Sequence, residues 1–359
     1  MSMPVRYLPL PLQTWAPLDI VQYRSDAGNF PLNRNIYGLL IEVSYRNAVG
    51  VAAADAENVE SPQAILDRIH IYGQHRHRNE QTEIVDLRGA TAYTKFGTIY
   101  RSRTPQSTGL AGVGIGDKDV RFFIPVIFPP QKVSILQQAG YLLDAPNYEW
   151  IQMDLHMGDG TSMYDPAGTT TFAFTQFGGA SGSPQIRILR MIPNLRGERV
   201  GFISGLVRHY FRELIGSDLT TTATGVRLYD VRPGNRYRAF LLKAGVKMTE
   251  ATATLNPFAT LSDAILSQLH FKRNDVTHRH FQTFNIGREL LSEQYDSPVP
   301  VGYAAFEFAD YGDIRQWFDT SRFKKDNVEA WIEADVAGAA NQALEVIVEE
   351  IVGGPAFRS

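Results

Sequence analysis

At 359 residues the chain is long enough for two domains of roughly 150 to 200 residues, a size at which a β-sandwich needs no disulfide or metal to hold its core. It has no cysteine, which excludes a disulfide framework, a thiolate zinc site and a cysteine nucleophile. Its 35 basic and 38 acidic residues give a net charge of -3 with no basic block, so composition offers no footprint for nucleic acid.

In chain order, Met1 to Pro17 carries Pro4, Pro9, Pro11 and Pro17, which predicts an extended N-terminal arm, either docked on a partner or left as a disordered or surface-lying terminus. The N-terminus lacks the charged-then-apolar layout of a signal peptide, and no apolar run approaches the roughly 18 residues of a membrane helix, so the chain is expected to be soluble when made. Leu39, Ile41, Val43 and Tyr45 alternate with Glu42 and Ser44, the period of a half-buried strand. Further strands are expected at Ile69 to Tyr72, Glu83 to Leu87 and Val120 to Phe128. The glycine-rich stretch Gly109 to Gly116 has no strand close before it and no helix after it, so it reads as a surface loop and not as a nucleotide cradle. Val133, Ile135, Leu136, Ala139, Leu142 and Leu143 make the best amphipathic helix.

Alternation returns in Ile151, Met153, Leu155 and Met157 against Gln152, Asp154 and His156. Phe177 to Pro184 lacks the spacing of a nucleophile elbow and reads as a hairpin loop before a strand at Gln185 to Ile192. The polar segment Asn194 to Gly201 is where a domain boundary is expected. Beyond it, strands are expected at Tyr237 to Leu242, Leu269 to Lys272, Tyr303 to Phe308, Val328 to Val336 and Ala343 to Ile351, with Gly, Pro, Asn and Asp between them. The class is all-β with a few short helices.

The two halves echo one another. Asn33-Arg34 with Leu39-Leu40 recurs as Asn235-Arg236 with Leu241-Leu242, and Ala64-Ile65-Leu66 with His70 recurs as Ala264-Ile265-Leu266 with His270. His75-Arg76-His77 then matches His278-Arg279-His280. Three matches in one order at nearly one offset predict a single fold built twice.

Asn33 to Val43, Ser61 to Ile71 and Ile84 to Gly89, followed by Pro233 to Arg236, Ser262 to Leu266, Gly302 to Phe308 and Trp317 to Thr320, carry a resemblance over most of the chain. In pattern and order they resemble the double jelly-roll major capsid proteins of tailless icosahedral viruses with an internal membrane, the lineage of tectivirus-like phages and the adenovirus hexon. The resemblance implies two tandem eight-stranded jelly-roll sandwiches: an arm at 1–17, a first jelly roll at 18–196 and a second at 197–359. It further implies a homotrimer forming pseudo-hexagonal capsomers of an icosahedral shell. The expected partners are the chain itself, then neighbouring capsomers and penton or minor capsid proteins, with the arm free to reach an internal membrane and no direct contact with nucleic acid. The place of the protein would be the virion shell, after synthesis in soluble form in a host cytoplasm.

Histidine supplies the rival reading. Six of the eight fall in the repeated region: His70, His75 and His77, then His270, His278 and His280. An HxH pair on a strand puts both rings on one face, roughly 7 Å apart and able to share a metal. A bicupin metal-dependent decarboxylase or dioxygenase would use His75 and His77, with His278 and His280 in the other half. The chain departs from the cupin pattern, however: Gly73 is too close to His75, Glu289 too far from His280, and neither His156 nor His209 is a well-placed third ligand. The histidines therefore read as solvated or interface residues beside Arg76, Arg78 and Arg279, and no catalytic, cofactor-binding or metal-binding residue is expected. A tandem sugar-binding module, suggested by aromatics such as Trp150, Trp317 and Trp331, is the third reading.

Overall fold

A computed structural model describes residues 4–50, 56–57, 59–76, 81–99, 107–108, 118–129, 138, 141–165, 171–179, 181–194, 207–248, 258–308 and 317–352. The chain divides into two units: Met1–Ser204 with Glu250–Pro257, and Gly205–Thr249 with Phe258–Ser359.

The strands of the first unit are β1 (Val5–Pro9), β2 (Gln13–Thr14), β3 (Ile20–Arg24), β4 (Gly38–Gly50), β5 (Ala56–Glu57), β6 (Leu66–His75) and β7 (Gln81–Leu87). They continue as β8 (Ser107–Thr108), β9 (Lys118–Ile127), β10 (Tyr148–Met157), β11 (Tyr164–Asp165), β12 (Thr171–Thr175) and β13 (Gln185–Pro193). Eight of them form two antiparallel sheets, β1-β13-β4-β9 and β3-β10-β6-β7. The expected alternation decides which way each strand faces. Leu39, Ile41, Val43 and Tyr45 of β4 are fully buried, as are Ile151, Met153 and Leu155 of β10, each such side chain contributing about 1.5–3 kcal/mol through burial. Gln152 and His156, on the other face of β10, are only partly covered.

The second unit continues with β14 (Val207–Ile215), β15 (Ala223–Asp230), β16 (Arg236–Lys247), β17 (Phe258–Leu261), β18 (Leu266–Arg273) and β19 (Val276–Thr283). It ends with β20 (Tyr303–Glu307), β21 (Phe318–Asp319), β22 (Ala330–Val336) and β23 (Gln342–Val352). Its sheets are β14-β23-β16-β20 and β15-β22-β18-β19, again antiparallel. One apolar core joins them: Phe240, Leu242, Leu344, Val346 and Phe306 from the first sheet meet Leu269, Phe271, Ile332 and Ala334 from the second. The ring of Phe240 stacks on Tyr237 at 5.1 Å and on Phe271 at 5.8 Å, bridging the two sheets.

Numbered by order of appearance, the eight main strands of each unit pair identically: first-eighth-third-sixth in one sheet, second-seventh-fourth-fifth in the other. That order is the jelly roll. The repeat extends to single hydrogen bonds. The carbonyl of Ile65 accepts from the amide of Gly158 (2.7 Å), and that of Ile265 from the amide of Ala337 (2.9 Å), each donor sitting one residue past the seventh strand. Connections differ: residues 158–184 separate the seventh and eighth strands in the first unit, only 337–341 in the second.

Two expectations change. The stretch read as a free arm contains β1, paired residue for residue with β13 from Val5↔Pro193 to Pro9↔Leu189. Proline is tolerated there because β1 is an edge strand, so the first jelly roll begins near residue 5 and not at 18. The helix Phe284–Tyr295 was not expected. Thr283 caps it by accepting from the amide of Ile286, left-handed Asp296 ends it, and Phe284, Gly287, Leu291 and Tyr295 form its buried stripe. Gly109 to Gly116, the segment 195–201 and most of the amphipathic run from Val133 lie outside the described residues. Among the described residues no helix is long and apolar enough to cross a membrane.

Candidate functional site

The side chains that carry chemical potential lie on the face of each β6-type sheet turned away from the core. In the first unit β6 sets His70 opposite Asp154 of β10, and His156 stands two residues further along β10 on the same face. One ligand atom from each of these three lies within 4.8 Å of the others. Asp154 is 7% exposed and accepts from the hydroxyl of Tyr72 (2.9 Å) and the amide nitrogen of Gln152 (2.8 Å). His70 is held on the other side by Glu83, Nε2 to Oε2 2.5 Å, and stacks against Tyr72 with ring centroids 4.4 Å apart.

These surroundings set the protonation states. Burial, helped by its bond to Asp154, pushes the Tyr72 hydroxyl up to about 12, so it donates. Burial and then the nearby Arg68 guanidinium lower the pKa of His156, favouring the neutral ring. Arg68 itself is engaged with Asp86, Nε to Oδ1 at 2.6 Å.

The equivalent face of the second unit places His270 opposite Glu333 of β22 and His280 of β19. Here the residue two after the histidine is Lys272, whose Nζ lies 2.5 Å from Glu333, where the first unit has Tyr72. Burial opposes ionisation of Glu333, but donation from Lys272 and Trp331 prevails and its pKa is lowered. The rings of His270 and His280 stack at 4.4 Å and 10°. Burial, His280 and Lys272 together lower the pKa of His270.

The HxH pairs do not form matching sites. His75 ends β6 on its core face, 2% exposed, with its ring edge-to-face on Tyr148 at 5.1 Å. His278 and His280 lie exposed on β19, the strand that follows the equivalent of β6. His75 and the string His278-Arg279-His280 thus fall on non-equivalent strands, and the likeness of the third match is textual. His77 lies outside the described residues, and His209 is on β14. The cluster that does form, His70 with Asp154 and His156, escaped sequence reasoning because its members are neighbours only across the β6–β10 ladder.

Compared with known proteins, the sequence matches no family model and no curated protein. Its fold does match solved structures. The STIV MCP aligns over 99% of this chain and 98% of its own, at TM-score 0.66 and 10% identity. The chain has the double jelly-roll fold of that structure. An atomic structure of Sulfolobus Turreted Icosahedral Virus aligns over 100% of this double jelly roll and 92% of the matched chain, at TM-score 0.63 and 11% identity. The major capsid protein P2 from bacteriophage PM2 aligns over 99% and 100%, at TM-score 0.57 and 12% identity. Shared strand order at such low identity is what a sandwich core permits, since it constrains apolar alternation and volume more than residue identity.

Proposed function

We propose that this double jelly roll is the major capsid protein of an icosahedral virus. The carrying observation is that one chain holds two sandwiches of identical strand pairing and that solved capsid structures align over nearly its whole length. Two similar lobes per chain suit a threefold assembly: three chains around one axis give six quasi-equivalent lobes, an outline that tiles a shell. In this reading the capsomer is a homotrimer, its neighbours are other capsomers with penton or minor proteins at special positions, and the shell encloses a membrane. The subunit is made soluble in the host cytoplasm and resides in the virion. The near-neutral charge fits a shell that lipid separates from the genome.

The geometry gives no support to a bicupin, since His75 and the pair His278 and His280 sit on non-equivalent strands. Native mass spectrometry of the purified chain tests the capsid reading. A species near 120 kDa, three times the 40.1 kDa chain, is expected; a monomer at all accessible concentrations would overturn it.

A further inference from the structure

We propose that His70, Asp154 and His156 form a binding site for a divalent transition-metal ion, zinc by donor set, that clasps β6 to β10 in the first jelly roll. Three features carry this, none dependent on the capsid reading. The first is convergence: three potential ligand atoms fall within 4.8 Å of one another on adjacent strands. Ligand atoms around a tetrahedral ion with bonds near 2.1 Å stand roughly 3.4 Å apart, so rotamer-scale movement closes the set.

The second is an uncompensated charge. Asp154 is buried, yet its hydrogen bonds come from neutral donors, Tyr72 and Gln152, and among the described residues no cation lies within salt-bridge distance of it. Buried carboxylates are ordinarily paired or coordinate metals. The duplication supplies the control. At the same place in the second jelly roll, Lys272 stands where Tyr72 stands and its ammonium pairs with Glu333. One copy carries its cation covalently; the other has two imidazoles and a carboxylate arranged to hold one from solution.

The third is donor chemistry. Two imidazole nitrogens with carboxylate oxygen suit zinc and its neighbours in the first transition row and do not suit calcium or magnesium, which take oxygen. Glu83, against His70, adds a further anionic oxygen at the rim.

The test uses the full-length, chelator-treated protein and zinc alone. Titration calorimetry and native mass spectrometry are expected to give one saturable zinc per chain, with a raised melting temperature. Both effects should be lost in His156→Gln and Asp154→Asn and kept in His280→Gln. Absence of stoichiometric zinc, or zinc retained in both first-unit variants, overturns the site. Should those variants fail to fold, diethylpyrocarbonate labelling of the wild type decides: zinc should protect His70 and His156 and leave His280 reactive, and any other pattern refutes the assignment.

Discussion

His270 and His280 lie ring on ring across β18 and β19, so each proton taken up by one ring opposes the next. Burial and the charge of His280 lower the pKa of His270, which makes its neutral form the native one. Stability from this residue is therefore present above the ordinary histidine value, near 6.5, and is lost as pH falls through the lower folded value. His280→Ala should raise the His270 pKa toward, but not up to, the ordinary value, because burial remains. An NMR titration of labelled histidine checks this, and an unmoved or lowered pKa would sink the account. The pairing of His70 with His270 was legible from the shared Ala-Ile-Leu and the common offset. The cluster around His70 was not, since Asp154 and His156 come within reach only once β10 lies beside β6. Text repeats find residues that share a position in the fold; they do not find residues that share a space.

Along β16 and β23 the alternation was readable, and Leu242, Val346 and Val348 fill the core as the period requires. What the period could not tell is that the opposite face is dry as well. Arg238, Lys243, Glu345 and Glu349 on that face are all buried. Arg238 bonds Glu349 (2.7 Å) and the hydroxyl of Tyr295 (2.6 Å), and Tyr295 donates to Glu307 (2.6 Å). Lys243 and Lys247 flank Glu345 at 3.4 and 3.5 Å and lie over the ring of Phe258. Alternation says which residues share a face, not whether water reaches it. Removing one partner of a buried pair costs about 3–5 kcal/mol when the other charge is stranded, and because Arg238 keeps Glu307 at 3.6 Å, Glu349→Ala should destabilise the protein by less than that. Replacing Arg238, Glu307 and Glu349 together by apolar residues of similar volume should cost much less than the sum of the single losses, because no buried charge of the network is then left over. Denaturant unfolding of the single and joint variants checks this; a joint loss equal to the sum of the single losses would mean the charges are not coupled.

At the scale of the molecule, the sequence showed duplication and a mainly β class, while the strand order emerged only from pairing. The edges were the hardest to read, because β1, β15 and β19 bury too few side chains to leave a period: all of β19 is exposed except Phe281. Pro-rich composition suggested an arm where the chain forms a strand, and the two descriptions differ in consequence. Deleting residues 1–10 strips β13 of its β1 partner and leaves a row of open backbone groups. The truncated protein should melt at a lower temperature and self-associate, as thermal unfolding and light scattering would show; an unchanged melting curve would restore the arm. The same pairing has a temporal side. Val5 waits for Pro193, so a ribosome adding about 5–20 residues per second leaves the first strand without its partner for roughly 10 to 40 s. During that interval the growing chain carries an open β edge through a crowded cell, and whatever shields it then governs how much of the protein reaches its folded state.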